Sequence, residues 1–574
     1  MRRSRQGLLV CCLSFALVLV ARTGIGEDFE KVAPQLPPPT PGDEKVSARE
    51  GELSEDEILI PRLKGIVFVS SKSTVRASVP RSRPTLDVQG VPLLQNTSFE
   101  ERMRRHIGKS FSLKALKELT AEVRRYANSR TRILVRVSLP DQELTGGVLH
   151  VLVAEQKAEE IRITGVRWSD PAKLLRQLPF EPGAPIDVTD ASSAIHFLNR
   201  NPFRRIDVDY LPGTSEHLSA IQLRLQERRP YRVYLSYEND GTERSGLSRW
   251  RAGFNTGNLW KAGHQFSYQL TSGNSFSEFH ANTAIYTAPL PWRHVATLFG
   301  GWVEVGTPVT DSIDNIEDIW LIGLRYVIPL PSLFRIRQDL TVGGDYKQSQ
   351  RTFLVESPGN PDVEVNTDTE LSQFNFGYTA RLSDPMGFTR LGLELFYSPG
   401  FELPNATSAD YQRVRAGAET EYVYLRGRVD RQFDLPKGFT LRGRVTFQVA
   451  NEPLLPSEQL TLGGYDYVRG FTTSSYNGDI GFRSTIELRS PLLSLPRRAG
   501  RLQAIAFFDS AYAERLESVS ATFSDATFAS FGPGLRYTFR EYFSVRADYG
   551  FRVEDSNLPG LSNNTLHVGV TLSY

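Results

Sequence analysis

The side chains that could carry out covalent chemistry do not form an enzyme site in this sequence. The eight histidines show no metal-ligand spacing, and no set of nucleophile and general base stands out. The two cysteines, Cys11 and Cys12, both lie within the first 26 residues. We therefore expect no catalytic residues, no metal and no cofactor. Charged side chains in unusual positions are the better candidates for function.

One arginine stands out by its surroundings. Arg469 belongs to Leu462–Phe471, a run rich in glycine and aromatic residues within the long segment Asn451–Asp479. This segment separates two stretches in which apolar and polar residues alternate strictly. The residues alone fit two interpretations equally well: a surface loop with a solvated arginine, or a loop that holds the arginine for a function.

A carboxylate on a nearby strand is the second candidate. The residues around Asp509 alternate with period two, which is the side-chain repeat of a β-strand. The apolar face has Leu502, Ala504, Ala506 and Phe508, and the opposite face has Gln503, Phe507 and Asp509. The alternation therefore predicts Asp509 on the inner, polar face of a sheet.

The same alternation runs through the C-terminal part of the chain, residues 229–574. In residues 441–449, apolar residues and glycine alternate with arginine, threonine and glutamine. About 345 residues divide into about sixteen strands with their connections, as expected for tilted strands that cross a membrane. A soluble β-sandwich would also alternate, but it does not require so many consecutive strands without a helix. The pattern predicts a transmembrane β-barrel of about 16 antiparallel strands, closed because lipid cannot satisfy an open sheet edge.

The composition agrees with that architecture. The chain has 574 residues with 67 Lys and Arg against 65 Asp and Glu, and the net charge of +2 gives no support for nucleic-acid binding. The mean hydropathy of −0.30 excludes a bundle of membrane-spanning helices. It does not exclude a β-barrel, because apolar and charged faces cancel in the average. The 45 glycines and 11% aromatic residues favour β structure.

Residues 1–26 have the pattern of a secretory signal peptide. Three arginines precede a short apolar run, and Gly24 and Gly26 are small residues of the kind that a signal peptidase requires. The run is short for a membrane anchor, and the residue before Cys11 is too bulky for a lipoprotein signal. Cleavage would leave a mature chain without cysteine. Residues 27–57 are rich in proline and charge, and are predicted to be an exposed linker.

Two small α/β modules are predicted between the linker and the barrel, over residues 58–157 and 158–228. In the first, Ser112 is a typical N-cap for an amphipathic helix. In the second, Thr189 or Asp190 is expected to cap a helix. Neither module contains a phosphate-binding glycine loop. We interpret both as interaction domains whose sheet edges can accept a partner strand.

Short motifs in both modules point to a known kind of protein. In the first module Leu-Pro-Asp-Gln is followed by a glycine and then by Val-Ala-Glu, and the second contains Phe-Leu-Asn and Leu-Pro-Gly. These stretches resemble the two POTRA domains of two-partner-secretion transporters, the FhaC/ShlB family. The sequence departs from the family at residues 128–130, where relatives often have a glycine. The motif positions are Pro140, Gln142, Gly147, Glu155, Asn199, Pro212 and Gly213.

The barrel contains three further motifs that carry the resemblance. Val-Arg-Gly-Phe is similar to a motif that this BamA-like superfamily places in a loop folded back into the barrel lumen. Phe-x-Asp-x-Ala is similar to the family's Phe-x-Asp-x-Gly, and the last strand resembles the C-terminal signal by which outer-membrane barrels are recognised for insertion. The positions are Val468, Arg469, Gly470 and Phe471, then Phe507, Asp509 and Ala511, then Gly569, Leu572 and Tyr574.

The resemblance implies a site, a location and an activity. Arg469 at the loop tip is expected to pair with Asp509 on the inner wall. The chain is expected in the bacterial outer membrane, where periplasmic POTRA domains would bind a large secreted exoprotein that then passes unfolded through the barrel without ATP. Its other partners would be outer-membrane lipids and the barrel-assembly machinery, with no nucleic acid. The clustered prolines of residues 27–57 leave little room for the plug helix that such transporters often have.

Other functions fit part of the sequence. A BamA-like factor that inserts other barrels would share the barrel and the lumen motif, but such factors usually have more than the two POTRA domains that fit here. A passive porin would explain the barrel but neither the modules nor the loop motif. An outer-membrane enzyme would need a catalytic set that the sequence does not offer.

Overall fold

The computed structural model of the protein describes residues 33–36, 58–75, 85–243, 245–310, 313–333, 336–355, 363–516, 524–555 and 564–574. They belong to two compact units. One contains residues 33–36 and the chain from Pro230 onwards, and the other ends at Arg229. The predicted signal peptide lies outside the described residues. Across these ranges no helix has the length and apolar character needed to cross a lipid bilayer.

The described residues of the first α/β module form six strands and two α-helices. They are β1 (Ile58–Ile60), β2 (Gly65–Val69), β3 (Thr85–Gln89), α1 (Thr97–Arg104), β4 (Phe111–Ser112), α2 (Leu113–Asn128), β5 (Val135–Ser138) and β6 (Val148–Glu155). β2 lies between β3 and β6 and is parallel to both, and β5 pairs with the other edge of β6. The predicted helix start is confirmed, because the Ser112 hydroxyl accepts a hydrogen bond from the backbone N–H of Ala115.

The second module has three strands and two helices. They are β7 (Lys157–Thr164), α3 (Pro171–Leu175), α4 (Val188–Leu198), β8 (Arg204–Pro212) and β9 (Leu218–Glu227). β9 is central, parallel to β7 and antiparallel to β8. The predicted cap of α4 is wrong: Asp187 is the N-cap, and its carboxylate accepts bonds of 2.9 Å from the backbone N–H groups of both Thr189 and Asp190. The two polar residues chosen from the sequence are the ones whose amides are capped.

Sixteen long antiparallel strands close into a barrel, which confirms the predicted architecture. They are β10 (Tyr231–Glu238), β11 (Arg249–Leu259), β12 (His264–Ser272), β13 (Phe279–Pro289), β14 (Val295–Thr310), β15 (Ile313–Leu333), β16 (Ile336–Val355), β17 (Val363–Asp384), β18 (Gly387–Pro399), β19 (Glu421–Asp434), β20 (Thr440–Ala450), β23 (Ile480–Arg489), β25 (Arg501–Glu514), β26 (Asp525–Phe539), β27 (Phe543–Asp555) and β28 (Thr565–Ser573). Three short strands lie in connections: β21 (Leu460–Leu462), β22 (Tyr476–Gly478) and β24 (Leu493–Ser494). β28 pairs with β10 and closes the sheet.

The strands have the two faces that the alternation predicts. On β25, Phe508 is 45% exposed on the outer face, whereas its neighbours Phe507 and Asp509 are buried inside. The connections at one end of the barrel are short turns, such as residues 540–542. Those at the other end are longer and include residues 451–479. We call these the short-turn end and the long-loop end.

Of residues 27–57, predicted to be an exposed linker, the structure describes residues 33–36, where Leu36 is 57% exposed but Gln35 is hydrogen-bonded to the barrel wall. The backbone N–H of Gln35 donates to the Tyr234 hydroxyl (2.8 Å), and its side-chain amide donates to the Ser236 hydroxyl (3.0 Å). Both partners face the barrel lumen. A proline-rich stretch cannot form its own core, but the polar inner wall satisfies its hydrogen-bonding groups.

A short helix at the long-loop end was not predicted. α5 (Ser408–Val414) begins with a capping box between Thr407 and Asp410. Tyr411 of this helix is buried inside the barrel, where its hydroxyl donates to the Glu370 carbonyl (2.8 Å). The surrounding apolar cluster includes Leu371, Phe396, Tyr422, Tyr424, Leu454 and Leu455. Connections of the long-loop end therefore occupy part of the lumen.

Candidate functional site in the barrel lumen

The segment Asn451–Asp479, which connects β20 to β23, folds back into the barrel. Val468 and Phe471 are fully buried in an apolar cluster with Ala511 and Phe528 of the inner wall. The rings of Phe471 and Phe528 stack, with their centroids 4.3 Å apart. Ala511, which stands where the family has glycine, is 1% exposed. Its methyl group is thus accommodated by contact with the segment.

Arg469 lies at the tip of this segment and is paired with Asp509. Its Nε donates to Oδ2 and its Nη2 to Oδ1, both at 2.8 Å, and its backbone N–H donates to Oδ2 at 3.0 Å. Arg469 is 3% exposed and the Asp509 side chain 0%. Two parallel bonds from a guanidinium to a carboxylate fix orientation as well as distance. The structure thus brings together the two residues that the resemblance implied.

Glu487 completes the surroundings of Arg469, and sequence reasoning missed it. It accepts a 2.7 Å bond from Nη1 of Arg469 and two further bonds, from Nε and Nη2 of Arg489. On the other side, the guanidinium of Arg469 lies 3.6 Å from the centroid of the Phe507 ring. Alternation along β23 places Glu487 inside the barrel, but no local pattern assigns it to the loop. Phe507, the aromatic position of the motif, is the stacking partner of the arginine.

Gly470 brings the segment into backbone contact with β27. Its φ is +96°, and a Cβ there would lie 3.1 Å from the carbonyl oxygen of Gly550. Its carbonyl accepts bonds from Arg552 (2.8 Å) and Thr565 (3.1 Å). The positive φ and the close approach both require glycine. This residue therefore ties the tip to the last two strands of the barrel.

A second buried ion pair holds the start of the segment. Glu458, 0% exposed, pairs with Lys347 of β16, which is 8% exposed. The same carboxylate accepts bonds from the Tyr424 hydroxyl (2.7 Å) and the Gln373 amide (3.0 Å). A buried carboxylate is stable only when such donors compensate the loss of water. The structure therefore fixes the segment at a point well before its tip.

Asp479 holds the other end of the segment. Its carboxylate accepts bonds from both terminal nitrogens of Arg415, from the backbone N–H of Leu454 (3.0 Å) and from that of Leu516 (2.8 Å). One side chain thus joins three connections of the long-loop end. These carboxylates serve ion pairs: within the described ranges, no group of three or more His, Cys, Asp or Glu residues is placed to hold a metal ion.

The C-terminal motif residues lie on β28, the strand that closes the barrel, or directly after it. Tyr574 exchanges backbone hydrogen bonds of 2.9 and 3.0 Å with Val233. Leu572 and Tyr574 are 52% and 64% exposed on the outside. Gly569 faces inward, where a Cβ would lie 2.6 Å from the Arg546 side chain. The motif thus combines an apolar outer edge with an inner position that leaves room for a charged residue.

In the two modules, the side-chain amides of the motif residues Gln142 and Asn199 make hydrogen bonds of the kind that a paired strand would make. Pro140 has no N–H and follows the end of β5, and the Gln142 side chain pairs with the next strand instead. It accepts from the N–H of His150 (2.7 Å) and donates to its carbonyl (2.8 Å). Asn199 does the same with the N–H (2.7 Å) and carbonyl (2.9 Å) of Ile206. Both side chains act as a substitute strand residue.

The remaining module motif residues lie at turns and strand ends. Gly147 has φ +74°, and a Cβ there would lie 3.0 Å from a backbone carbonyl oxygen. A Cβ at Gly213 would lie 2.7 Å from another. Pro212 and Glu155 are the last residues of β8 and β6. These residues therefore help to determine where the turns and strand ends of the two modules lie.

Replacing Gln142 by alanine is expected to loosen the junction of β5 and β6. The N–H and carbonyl of His150 would lose their partners, and an unsatisfied buried group costs about 1–3 kcal/mol. Amide hydrogen exchange of the full-length protein should show the His150 N–H exchanging at least about tenfold faster, since 1.4 kcal/mol is a factor of ten. Asn199→Ala should do the same to Ile206 and leave His150 protected. Unchanged protection in both variants would show that the side chains do not substitute for strand pairing.

Comparison with known proteins gives consistent matches along the chain. The family model of the haemolysin secretion/activation proteins ShlB/FhaC/HecB matches residues 360–536. The outer membrane transporter CdiB of Dickeya dadantii (strain 3937) is 22% identical over 410 residues, 68% of this chain and 69% of that protein. CdiB of Escherichia coli O6:K15:H31 is 22% identical over 454 residues, 74% of this chain and 71% of that protein. The solved structure of CdiB from Escherichia coli matches with a TM-score of 0.66 at 17% identity, covering 92% of this chain and 93% of that one.

The fold and these matches define the class: an outer-membrane β-barrel with two POTRA-like domains in the periplasm. The predicted fold class and location are confirmed. The resemblance to the ShlB/FhaC/HecB family of two-partner-secretion transporters is confirmed as well. In barrels of this class the short turns face the periplasm and the long loops face the cell exterior.

Proposed function

We propose that this protein is an outer-membrane translocator that exports a large secreted exoprotein. The observation that carries the proposal is the segment Asn451–Asp479, whose tip is held inside the lumen by the pair of Arg469 and Asp509. A passive pore has no need for a buried, multiply bonded segment in its path. A translocator must instead stay closed until its partner arrives, and a held segment provides the closed state. The relatives named outer membrane transporter support the same function.

The inner wall supports passage of an unfolded chain. Its side chains are polar and charged, so they can exchange hydrogen bonds with a moving polypeptide, as the walls of other selective pores do with their cargo. Examples on neighbouring strands are Arg428, Asp430, Arg442 and Arg444. Export is proposed to require no ATP, with direction supplied by folding of the exoprotein outside the cell.

The POTRA-like domains are proposed to capture the exoprotein in the periplasm. In the first domain β3 and β5 are the edge strands of the sheet, and in the second β7 and β8 are. An edge strand offers unpaired N–H and carbonyl groups to which an extended segment can add. Gly569, Leu572 and Tyr574 are proposed as the signal that the barrel-assembly machinery reads during insertion. The protein is accordingly proposed to be a transporter and not an enzyme.

Deletion of the gene tests the proposal directly. We expect one large protein to disappear from the culture medium while the other outer-membrane barrels stay at their normal level. The gene next to this one is expected to encode that protein, a long secreted chain of β-repeats. A general decline of outer-membrane barrels would contradict the proposal and favour a BamA-like assembly factor.

A further inference from the structure

We propose that the lumen wall beside the tip of the segment carries a binding site for carboxylate groups of an acidic polypeptide stretch. The site is a cavity of about 160 Å³. Six of its lining residues are arginines and two are acidic. The arginines are Arg442, Arg444, Arg469, Arg489, Arg536 and Arg546, and the acidic residues are Asp466 and Glu487. This inference rests on the proposed function, because the exported chain is the proposed source of the ligand.

Five of the six arginines already have a carboxylate partner. The pairs are Arg442 with Asp430, Arg469 with Asp509, Arg489 with Glu487, Arg536 with Asp548 and Arg546 with Glu238. Arg444 differs: among the described residues it has no ion pair within 4 Å and no side-chain hydrogen bond. Its guanidinium, with five N–H donors, is therefore available to the cavity.

The neighbours of Arg444 on the sheet explain why it is left over. Across the strands it faces Asp430 on β19 and Thr485 on β23. The carboxylate of Asp430 is turned to Arg442, whose Nε donates to it at 2.8 Å, and Arg390 approaches it to 3.8 Å. Arg442 lies two residues before Arg444 on the same face of β20, so a second cation adjoins the guanidinium of Arg444. An additional anion in the cavity would offset this repulsion.

The chemistry of the site favours a carboxylate over a more highly charged group. One free guanidinium with paired arginines around it matches a single negative charge, and arginine binds carboxylates in a bidentate fork. A phosphate would bring a second charge close to the carboxylates that already pair with the lining arginines. The cavity is also lined by Arg469, so a bound carboxylate competes with Asp509 and Glu487 for that guanidinium. Cargo bound here would thereby weaken the hold on the segment tip.

Titration of the detergent-purified full-length protein tests the site. Calorimetry with a hexaglutamate peptide is expected to show saturable binding that weakens with added salt, and hexaglutamine is expected not to bind. Arg444→Gln should raise the dissociation constant at least about tenfold, the effect of about 1.4 kcal/mol. Arg444→Lys keeps the charge and should raise it less. Arg351→Gln, at an inner-wall arginine that pairs with Glu317 outside this cavity, should leave it unchanged.

Three results would overturn the inference. The first is an unchanged dissociation constant in Arg444→Gln, and the second is an equal loss in Arg351→Gln. The third is binding of inorganic phosphate as tight as that of hexaglutamate, which would make this a general anion site. If Arg444→Gln does not fold, Arg444→Lys carries the test: a dissociation constant higher than that of Arg351→Gln supports the site, and one equal to it overturns the inference. The titration needs no exoprotein, so its failure leaves the deletion experiment unaffected.

Discussion

Replacing Arg469 by alanine is expected to reduce secretion of the partner exoprotein by at least about tenfold, with the barrel still inserted in the outer membrane. The change leaves the buried Asp509 carboxylate without its guanidinium, and breaking a buried ion pair costs about 3–5 kcal/mol. It also removes the bond to Glu487 and the contact with the Phe507 ring. The tip then loses its fixed position. The proposed gating, in which the segment keeps the lumen closed until the partner arrives, is lost with it. Immunoblots of the medium measure secretion of the exoprotein. Surface labelling and the heat-modifiable mobility of the barrel measure its insertion.

Matched variants show whether the ion pair of Arg469 and Asp509 itself is responsible for the loss of secretion. Asp509→Ala should lower secretion as much as Arg469→Ala, and the double variant should be no worse than either, since both changes remove one interaction. Arg351→Ala removes an inner-wall arginine whose pair with Glu317 lies on β15 and β16. It should secrete normally. Full secretion by Arg469→Ala and Asp509→Ala at normal surface levels would exclude the pair as a gating element.

The sequence predicts the barrel well because its physical cause is local. A strand with one face in lipid and one in a polar lumen must alternate, so Phe508 and Asp509 can be assigned to opposite faces from their neighbours alone. The same holds for the cap of α2, where Ser112 bonds an amide three residues away. The pairing of Arg469 with Asp509, 40 residues apart, follows from no such rule and was available only through the family resemblance.

The contacts that local patterns miss are those between distant connections and the wall. Glu458 and Lys347 are 111 residues apart, and Arg415 and Asp479 are 64 apart. Nothing near any of these residues in the chain marks its partner. The contacts of Gln35 cannot be predicted for a related reason. Composition describes what a segment can bury by itself, whereas the hydrogen bonds of Gln35 are made with the barrel wall, about 200 residues later. Enclosure by the barrel thus brings into contact residues that are far apart in the sequence and share no local pattern.

Replacing Glu458 by alanine is expected to lower the free energy of unfolding of the barrel by about 3–5 kcal/mol, because Lys347 would remain charged and buried without a partner. The hydroxyl of Tyr424 and the amide of Gln373 would also lose their acceptor. The measurement is the guanidinium midpoint of the detergent-solubilised protein, followed by tryptophan fluorescence. An unchanged midpoint would contradict the role of this carboxylate as the compensating charge.

The double variant Lys347→Met with Glu458→Leu shows whether Glu458→Ala lowers stability because it leaves a buried charge unpaired or because it removes a packing contact. Apolar side chains of similar size remove both charges at once, and such replacements of buried pairs are often neutral or stabilising. The double variant should therefore recover most of the stability that Glu458→Ala loses. Secretion gives a second distinction, because Arg469 still holds the tip in Glu458→Ala. Secretion per surface barrel should then stay within about twofold of the wild type. Loss of Glu458 lowers the stability and hence the abundance of the barrel, whereas loss of the pair of Arg469 and Asp509 changes gating. Equal loss of secretion per barrel in Glu458→Ala and Arg469→Ala would mean that the whole segment, and not its tip, controls the path.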